Sequence, residues 1–308
     1  MGKQIMDLRS KVDISNMKYE TNESALHESN REIYKKRKLF LQQHCEADHS
    51  DDGLEENDLL YDDKYGLIYC PVPKVACTNW KKVWLVLMGH LNTDVLESVH
   101  HSFVHHTPIT YPILRELSQS EQEMRLEKYF KFLFVRHPFE RLLSAFRNKF
   151  ELTDEWNVKF MTGYSAKIFK RFREGKWSRA RIVQSPITFN EFVQFIIETV
   201  DDGALQNEHW RPIHEMCSVC DVHYDVIGKF ENLEKDAQYI LKESNVGEIL
   251  TFPRHDSHIT NSSTEENLKK YFSTISADSI HQLYKIYELD FKLFQYPYPV
   301  NYLIWSRQ

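Results

Sequence analysis

One unit occurs twice in this sequence and limits what the chain can become: a short apolar run, a loop of a few residues, then an amphipathic helix. In the first copy, Gly66-Leu-Ile-Tyr-Cys-Pro-Val72 reads as a buried strand and Pro73-Lys-Val-Ala-Cys-Thr-Asn79 as a loop. Trp80 to Met88 then reads as an apolar helix, capped by Thr78 or Asn79 and ended by Gly89. In the second copy, Tyr129 to Val135 is the strand and Arg136-His137 the turn. Pro138 opens a helix running to about Phe150, with Leu142, Leu143, Ala145 and Phe146 along one side. Tyr224 to Gly228 reads as another strand, while Asn190–Thr199, Leu233–Lys242 and Asp278–Phe294 carry helical periodicity. Strands alternating with helices predict an α/β fold with a central parallel sheet flanked by helices.

The chain has 308 residues and a formal net charge of −6. The first 63 residues hold 9 Lys/Arg against 15 Asp/Glu, and the remaining 30 of each sign cancel. The acidity therefore belongs to the N-terminal segment and does not exclude an acidic ligand elsewhere. Residues 1–60 read as an acidic stem or linker, partly disordered, with an acidic run from Asp48 to Asp58 and a helix near Glu28–Gln43. Residues 61–308 read as the folded domain.

The five cysteines, Cys45, Cys70, Cys77, Cys217 and Cys220, are too few for a disulfide scaffold in a chain this long. Cys217 and Cys220 form a C-x-x-C flanked by His214 and His223. A disulfide or two buried thiols is the first reading of this pair; a Cys/His metal site is the second, although no other C-x-x-C completes a zinc set. No metal site is expected. No run of 18 apolar residues and no signal-peptide core occurs in the sequence. Asn22-Glu-Ser24 and Asn261-Ser-Ser263 match the glycosylation acceptor pattern.

A helix N-terminus after a buried strand presents unpaired N–H groups and the positive end of the helix dipole, which suits an anion. In the first unit the backbone from Val75 through Ala76 and Cys77 to Asn79 could wrap a phosphate, with Lys74 adding a charge and Thr78 a hydroxyl. The alternative is an ordinary turn with a solvated lysine. In the second unit Arg136 ends the strand and could grip a phosphate bidentately, with Ser144 two turns along the helix. Alternatively Arg136 pairs with Glu140 and Ser144 is a packing residue. Arg141 and Arg147 read as surface cations. No Walker glycines occur between Pro73 and Trp80, and Arg136 stands where a Walker B site would offer a metal-binding aspartate. A nucleotide kinase is therefore the weaker enzymatic reading, and a non-catalytic polysaccharide-binding module is the other alternative.

Pro73-Lys-Val-Ala-Cys-Thr-Asn-Trp80 and Phe132-Leu-Phe-Val-Arg-His-Pro-Phe-Glu-Arg-Leu-Leu-Ser-Ala-Phe-Arg-Asn-Lys-Phe150 resemble the two nucleotide-binding motifs of the Golgi chondroitin and dermatan 4-O-sulfotransferases. A third block is also similar to that family: Asn207-Glu-His-Trp210, the C-x-x-C, and Tyr224-Asp-Val-Ile-Gly-Lys-Phe-Glu231. The resemblance spans roughly residues 60–295. It implies a P-loop-like sulfotransferase fold and 3′-phosphoadenosine 5′-phosphosulfate (PAPS) as co-substrate, with no metal required. It further implies that Lys74, Val75, Ala76, Cys77, Thr78 and Asn79 hold the 5′-phosphosulfate, and Arg136 and Ser144 the 3′-phosphate. The acceptor implied is a chondroitin- or dermatan-type glycosaminoglycan, sulfated on the 4-hydroxyl of N-acetylgalactosamine. A Golgi lumenal location and an N-terminal membrane anchor follow from the same resemblance, and that anchor is not visible in this chain.

Transfer of a sulfuryl group needs charge neutralisation on the departing phosphate, expected of Lys74, and a base for the sugar hydroxyl, for which histidine suits neutral pH. The segment Val99-His-His-Ser-Phe-Val-His-His-Thr107 offers His100, His101, His105 and His106. Related sulfotransferases place a catalytic histidine some 30 residues before the second motif; His105 and His106 lie 31 and 30 residues before Arg136. His105 is preferred, then His106, then His101. His209 is a further candidate for positioning the acceptor, beside Trp210. The run Lys167 to Arg181 has seven basic residues and one acid, interleaved with Phe169, Phe172 and Trp177. Lys167, Lys170, Arg171 and Arg173 are therefore expected to bind the acidic glycan. No nucleic-acid fold signature accompanies the run, so nucleic acid is not expected as a partner.

Overall fold

The computed structural model describes residues 28, 30–45, 57–151, 155–200, 207–254 and 260–306. Helix α1 spans residues 30–45 and precedes strands β1 (Leu60–Asp62) and β2 (Leu67–Cys70). Next come α2 (Cys77–Leu87), α3 (His101–His106), α4 (Gln119–Lys128), β3 (Phe130–Val135) and α5 (Pro138–Phe146). A helical segment follows in α6 (Glu155–Phe172), α7 (Arg179–Gln184), α8 (Phe189–Glu198) and the short α9 (Ile213–Met216). Strand β4 (Val226–Lys229) and α10 (Leu233–Glu243) complete the last sheet crossover. The C-terminal helices are α11 (Glu265–Phe272), α12 (Ala277–Ile286), α13 (Glu288–Leu293) and α14 (Val300–Trp305).

The sheet order is β1-β2-β3-β4. β2, β3 and β4 are parallel, as expected from their continuous apolar runs, which mark strands covered on both faces. β1 pairs antiparallel to β2 at one edge; at three residues it is too short to leave a periodicity in the sequence. The registers Cys70↔Leu133 and Val135↔Lys229 align the carboxyl ends of the three parallel strands. The loops after β2, β3 and β4 therefore open on one edge, where ligands of open α/β sheets bind.

Two cores flank this arrangement. The first gathers the sheet with α1, α2 and α10 around Tyr69, Trp80, Trp84 and Phe132. The second is all helical: α5, α6, α8 and α11 to α14 close around Phe139, Phe192, Trp210 and Phe272. The expected single helix Asp278–Phe294 breaks at Tyr287 (φ −103°, ψ 12°). The break has a physical reason. Buried Asp290 accepts hydrogen bonds from the Ile213 and His214 N–H groups at 2.7 and 2.8 Å, and the Tyr287 hydroxyl donates to the Trp210 carbonyl at 2.6 Å. A carboxylate inside the protein must be satisfied in this way, and that outweighs one unbroken helix. Helix α5 is likewise shorter than expected, passing at Arg147–Glu151 into a π-helical turn.

The cysteine expectation is corrected. Cys217 and Cys220 are disulfide-bonded, but not to each other: Cys70 takes Cys217, Cys45 takes Cys220, and Cys77 is a buried thiol. No group of metal-ligating side chains forms among the described residues. The Cys45–Cys220 bridge ties α1 to the body. Most of the acidic N-terminal segment lies outside the described residues, but α1 within it is packed, with Tyr34 and Leu41 buried. Arg37 donates to the Ile227 carbonyl at 2.8 Å and pairs with Asp236 at 2.7 Å; Lys38 pairs with Asp225 at 2.7 Å. Ile227 lies on β4, the free edge of the sheet, so α1 covers an edge that would otherwise offer unpaired backbone groups. Among the described residues no helix is long and apolar enough to cross a membrane.

Two predictions follow from this packing. Gly228 on β4 faces Phe134 across the sheet, and a Cβ there would sit 2.5 Å from the ring. Gly228→Ala should therefore destabilise the fold by about 1–3 kcal/mol through overpacking, read by denaturant titration. His137 is packed among Phe139, Phe291, Tyr296 and Tyr302 at the start of α5. Burial first, then the charges of Arg136 and Lys229, push its pKa down to about 3. The unfolded chain takes up this proton near pH 6.5 and the folded one does not, so the contribution to stability is present above that pH and is lost as pH falls towards 3. His137→Phe should flatten the pH dependence of the unfolding free energy over that window.

Candidate active site

The loop after β2 is built without glycine, and it is strained. Lys74 (φ 73°) and Ala76 (φ 68°) both adopt the left-handed conformation, which disfavours a residue bearing a Cβ by about 1–2 kcal/mol. Three interactions hold it. The Val75 side chain between them is fully buried in the first core. Arg136 donates from Nη1 to the Lys74 carbonyl at 3.1 Å. Arg141 donates from Nε to the Pro73 carbonyl at 3.1 Å, and to the Arg211 and Glu208 carbonyls at 2.7 and 2.8 Å. In a trans peptide the N–H points opposite the C=O. Drawing the carbonyls of Pro73 and Lys74 towards the arginines thus turns the N–H groups of Lys74 and Val75 the other way, and α2 starts immediately after with its own unpaired donors.

This loop and the end of β3 wall one cavity of about 640 Å³, a size that suits a nucleotide-sized ligand. Lys74, Ala76, Cys77 and Thr78 line one side, and Arg136 and Ser144 another. The two units identified in the sequence therefore face the same space. Arg136 is 4% exposed. Its Nη2 donates to the Ser262 and Ser263 hydroxyls at 2.9 and 2.7 Å, and its guanidinium lies 4.2 Å from the centre of the Phe230 ring. Glu140 is 3.6 Å from Nε, so the expected pairing also exists, but that buried Nε has no hydrogen-bond partner. Ser144 and Thr260 share a hydrogen bond at 3.0 Å, and Thr260 another with Ser262 at 2.9 Å. The Asn261-Ser-Ser263 pattern is thus part of the cavity wall.

Three of the four clustered histidines reach the cavity: His101, His105 and His106. His100 instead caps α3 through its ring nitrogen and the Ser102 N–H. His105 Nε2 shares a hydrogen bond with the Thr78 hydroxyl at 2.9 Å. Its ring is open to the cavity yet set into a concave wall, and desolvation there, followed by Lys81 and Lys149, holds its pKa below the usual histidine range. His209 also lines the cavity and is anchored to the Asn207 side chain at 3.0 Å. Burial, then the charges of Lys149 and Lys74, depress its pKa as well. Both rings are accordingly neutral at neutral pH, the form that accepts a proton.

The structure places several expected side chains outside the cavity. The Val75 side chain is buried in the first core, so Val75 can serve the loop only through its backbone. The Asn79 amide donates to the Pro253 carbonyl at 2.9 Å and lies in the wall of a neighbouring cavity. Trp210 is fully buried against Tyr164 and Phe192, so it cannot stack on a sugar. Arg171 pairs with Glu198 at 2.7 Å; Arg173 forks onto Glu191 and also holds the Ser185 and Pro186 carbonyls. These two arginines tie α6 to α8 and its approach. Lys167 and Lys170 lie outside the cavity, in a separate depression along α6. Arg141 is not a surface cation but is 2% exposed. Its place was readable: it stands three residues after Pro138 and four before Ala145, on the buried side of α5. Lys81, Lys149 and the 260–264 segment were missed because they join the wall only through tertiary contacts.

The chain matches the Sulfotransferase family over residues 57–297. It is 40% identical over 247 residues to "Carbohydrate sulfotransferase 11" of Rattus norvegicus, covering 80% of this chain and 68% of the relative. It is 38% identical over 242 residues to "Carbohydrate sulfotransferase 14" of Danio rerio (78% and 62% covered) and 38% over 266 residues to "Carbohydrate sulfotransferase 12" of Mus musculus (81% and 62%). No solved structure matches it. With the glycine-free loop of Lys74 and the neutral His105 lining one cavity, and this likeness over most of its length, the chain belongs to the sulfotransferase family and is a carbohydrate sulfotransferase.

Proposed function

We propose that the sulfate donor is PAPS and that the acceptor is the 4-hydroxyl of N-acetylgalactosamine in a chondroitin- or dermatan-type glycosaminoglycan, modified in the Golgi lumen. The observation that carries this reading is that Lys74 and Arg136 line one cavity, joined by the hydrogen bond from Arg136 to the Lys74 carbonyl. A ligand with a phosphate at each end of a nucleoside matches two cationic pockets held at a fixed separation. Arg136, Ser144 and the Ser262 and Ser263 hydroxyls suit the 3′-phosphate. Lys74, Thr78 and the loop N–H groups suit the 5′-phosphosulfate.

In the proposed reaction the sugar oxygen attacks sulfur while the bond from sulfur to the 5′-phosphate oxygen breaks. Lys74 neutralises the charge that builds on that leaving oxygen, and His105 takes the hydroxyl proton. His106 and His101 are the next candidates for the base. Desolvation is the largest cause of the depressed His105 pKa and the lysines come second; an anion lying between the lysines would offset their share and raise its basicity when the donor is bound. Glu208 and His209, which also line the cavity, are suited to positioning the sugar.

The test is transfer of labelled sulfate from PAPS to desulfated chondroitin, with disaccharide analysis of the product. Lys74→Ala should lower kcat by about 10²–10³-fold, the size of losing one group that stabilises transition-state charge, with less effect on binding of 3′-phosphoadenosine 5′-phosphate. Arg136→Lys keeps the charge but loses the fork, and should weaken that binding by about tenfold or more. Normal rates in both variants would refute the assignment. The Arg141 clamp yields a separate expectation. Arg141→Lys cannot serve three carbonyls at once, and should lose about 2–4 kcal/mol of stability in denaturant. Nucleotide binding should fall with it, although Arg141 does not line the cavity.

A further inference from the structure

We infer that the acceptor polymer leaves the transfer cavity along one face of α6, on a track of cations and rings made by Lys149, Phe160, Tyr164, Lys167, Lys170 and Trp177. This rests on the proposed glycan acceptor and extends it beyond the reacting sugar. The track starts inside the cavity, where Lys149 is part of the wall. Its ammonium lies 5.0 Å from the centre of the Phe160 ring. His209, on the same wall, meets Phe160 edge-on at 5.4 Å. Phe160 contacts Tyr164 at 4.8 Å between ring centres, Lys167 sits 5.0 Å from the Tyr164 ring, and Lys170 sits 5.5 Å from the Trp177 ring.

Positions 160, 164 and 167 are four and three apart, so they share one helix face. From 160 to 170 the helix rises about 15 Å, further than one sugar ring extends. Gly163 and Ala166 floor the depression in which Lys167, Lys170, Trp177 and Arg179 stand, which leaves room for a chain to lie against the helix.

Charge selects the occupant. Arg171 and Arg173 of the same basic run are neutralised by Glu198 and Glu191. Among the described residues, no carboxylate pairs with Lys167, Lys170, Lys176 or Arg179. A row of uncompensated cations attracts an anionic polymer. The rings beneath the ammonium groups hold them in place, so less side-chain freedom is lost when the polymer binds. Nucleic acid would meet the same charges, but continuity of the track with the wall holding His209 and His105 favours the acceptor itself.

The test compares the wild type with Lys167→Ala/Lys170→Ala/Trp177→Ala, using desulfated chondroitin polymer and its tetrasaccharide as acceptors. All three side chains are exposed, so the core is untouched. The KM for the polymer should rise about tenfold, the sum of a few weak exposed contacts. The KM for the tetrasaccharide should change less than about twofold, because it ends before the far part of the track made by Lys167, Lys170 and Trp177. The polymer should also elute from the immobilised variant at lower salt, and Lys167→Arg/Lys170→Arg should restore wild-type elution. A polymer KM and elution unchanged in the triple variant would overturn the inference, as would equal losses on both acceptors. Tighter binding of a single-stranded oligonucleotide than of polymer of equal charge would overturn it in favour of a nucleic-acid surface. A wild type that transfers sulfate to neither acceptor would instead refute the functional reading, while elution of the polymer would still decide the track.

Discussion

Two buried guanidinium groups hold down the carbonyls of a loop that would not otherwise keep its shape. Lys74 and Ala76 stand in a backbone conformation that glycine usually occupies. Arg136 and Arg141 hold the loop from the following strand–helix unit, with Val75 driven into the core between the two strained positions. Burying a charge is expensive unless it is fully hydrogen-bonded. Arg141 meets that condition with three carbonyls, and so the anion loop, the 207–211 segment and α5 become one rigid unit. Arg136 meets it only in part: Nη1 and Nη2 are bonded, while the buried Nε has only the Glu140 carboxylate nearby, at 3.6 Å.

The electrostatics of the cavity follow from that arrangement. Cations are supplied by two separate parts of the fold, and the concave wall between them limits hydration. Of the histidines in that wall, His105 and His209 have pKa values depressed by desolvation first and by the neighbouring lysines second. Neutral imidazoles beside clustered cations are the arrangement that the proposed reaction needs. The same logic separates the two kinds of basic residue on α6. Those with carboxylate partners hold helices together, and those without remain available to a polyanion.

The elements that wall the cavity were legible in the sequence. Continuous apolar runs marked β2 and β3, and Pro138 marked the start of α5. The places of Lys74, Thr78, Arg136 and Ser144 followed from those elements. The departures share a cause. The side chains of Asn79, Arg171, Arg173 and Trp210 are each consumed by a partner elsewhere in the chain: Pro253, Glu198, Glu191 and the second core. Arg141 was misjudged in the opposite sense, since charge outweighed its position on the apolar side of the helix. The C-x-x-C was read as a pair, whereas its two cysteines turn to different elements, β2 and α1.

Local pattern alone determined that this chain would form parallel strands, each delivering a cation and a helix start to its carboxyl end, because hydrophobic period and helix-start chemistry act over a few residues. Only the tertiary structure decided which cations reach the ligand space and which are spent on holding the fold. It also brought the 260–264 hydroxyls, Lys81 and Lys149 into one wall. Burial and pairing depend on residues tens to hundreds of positions apart, and no short stretch of sequence contains that information.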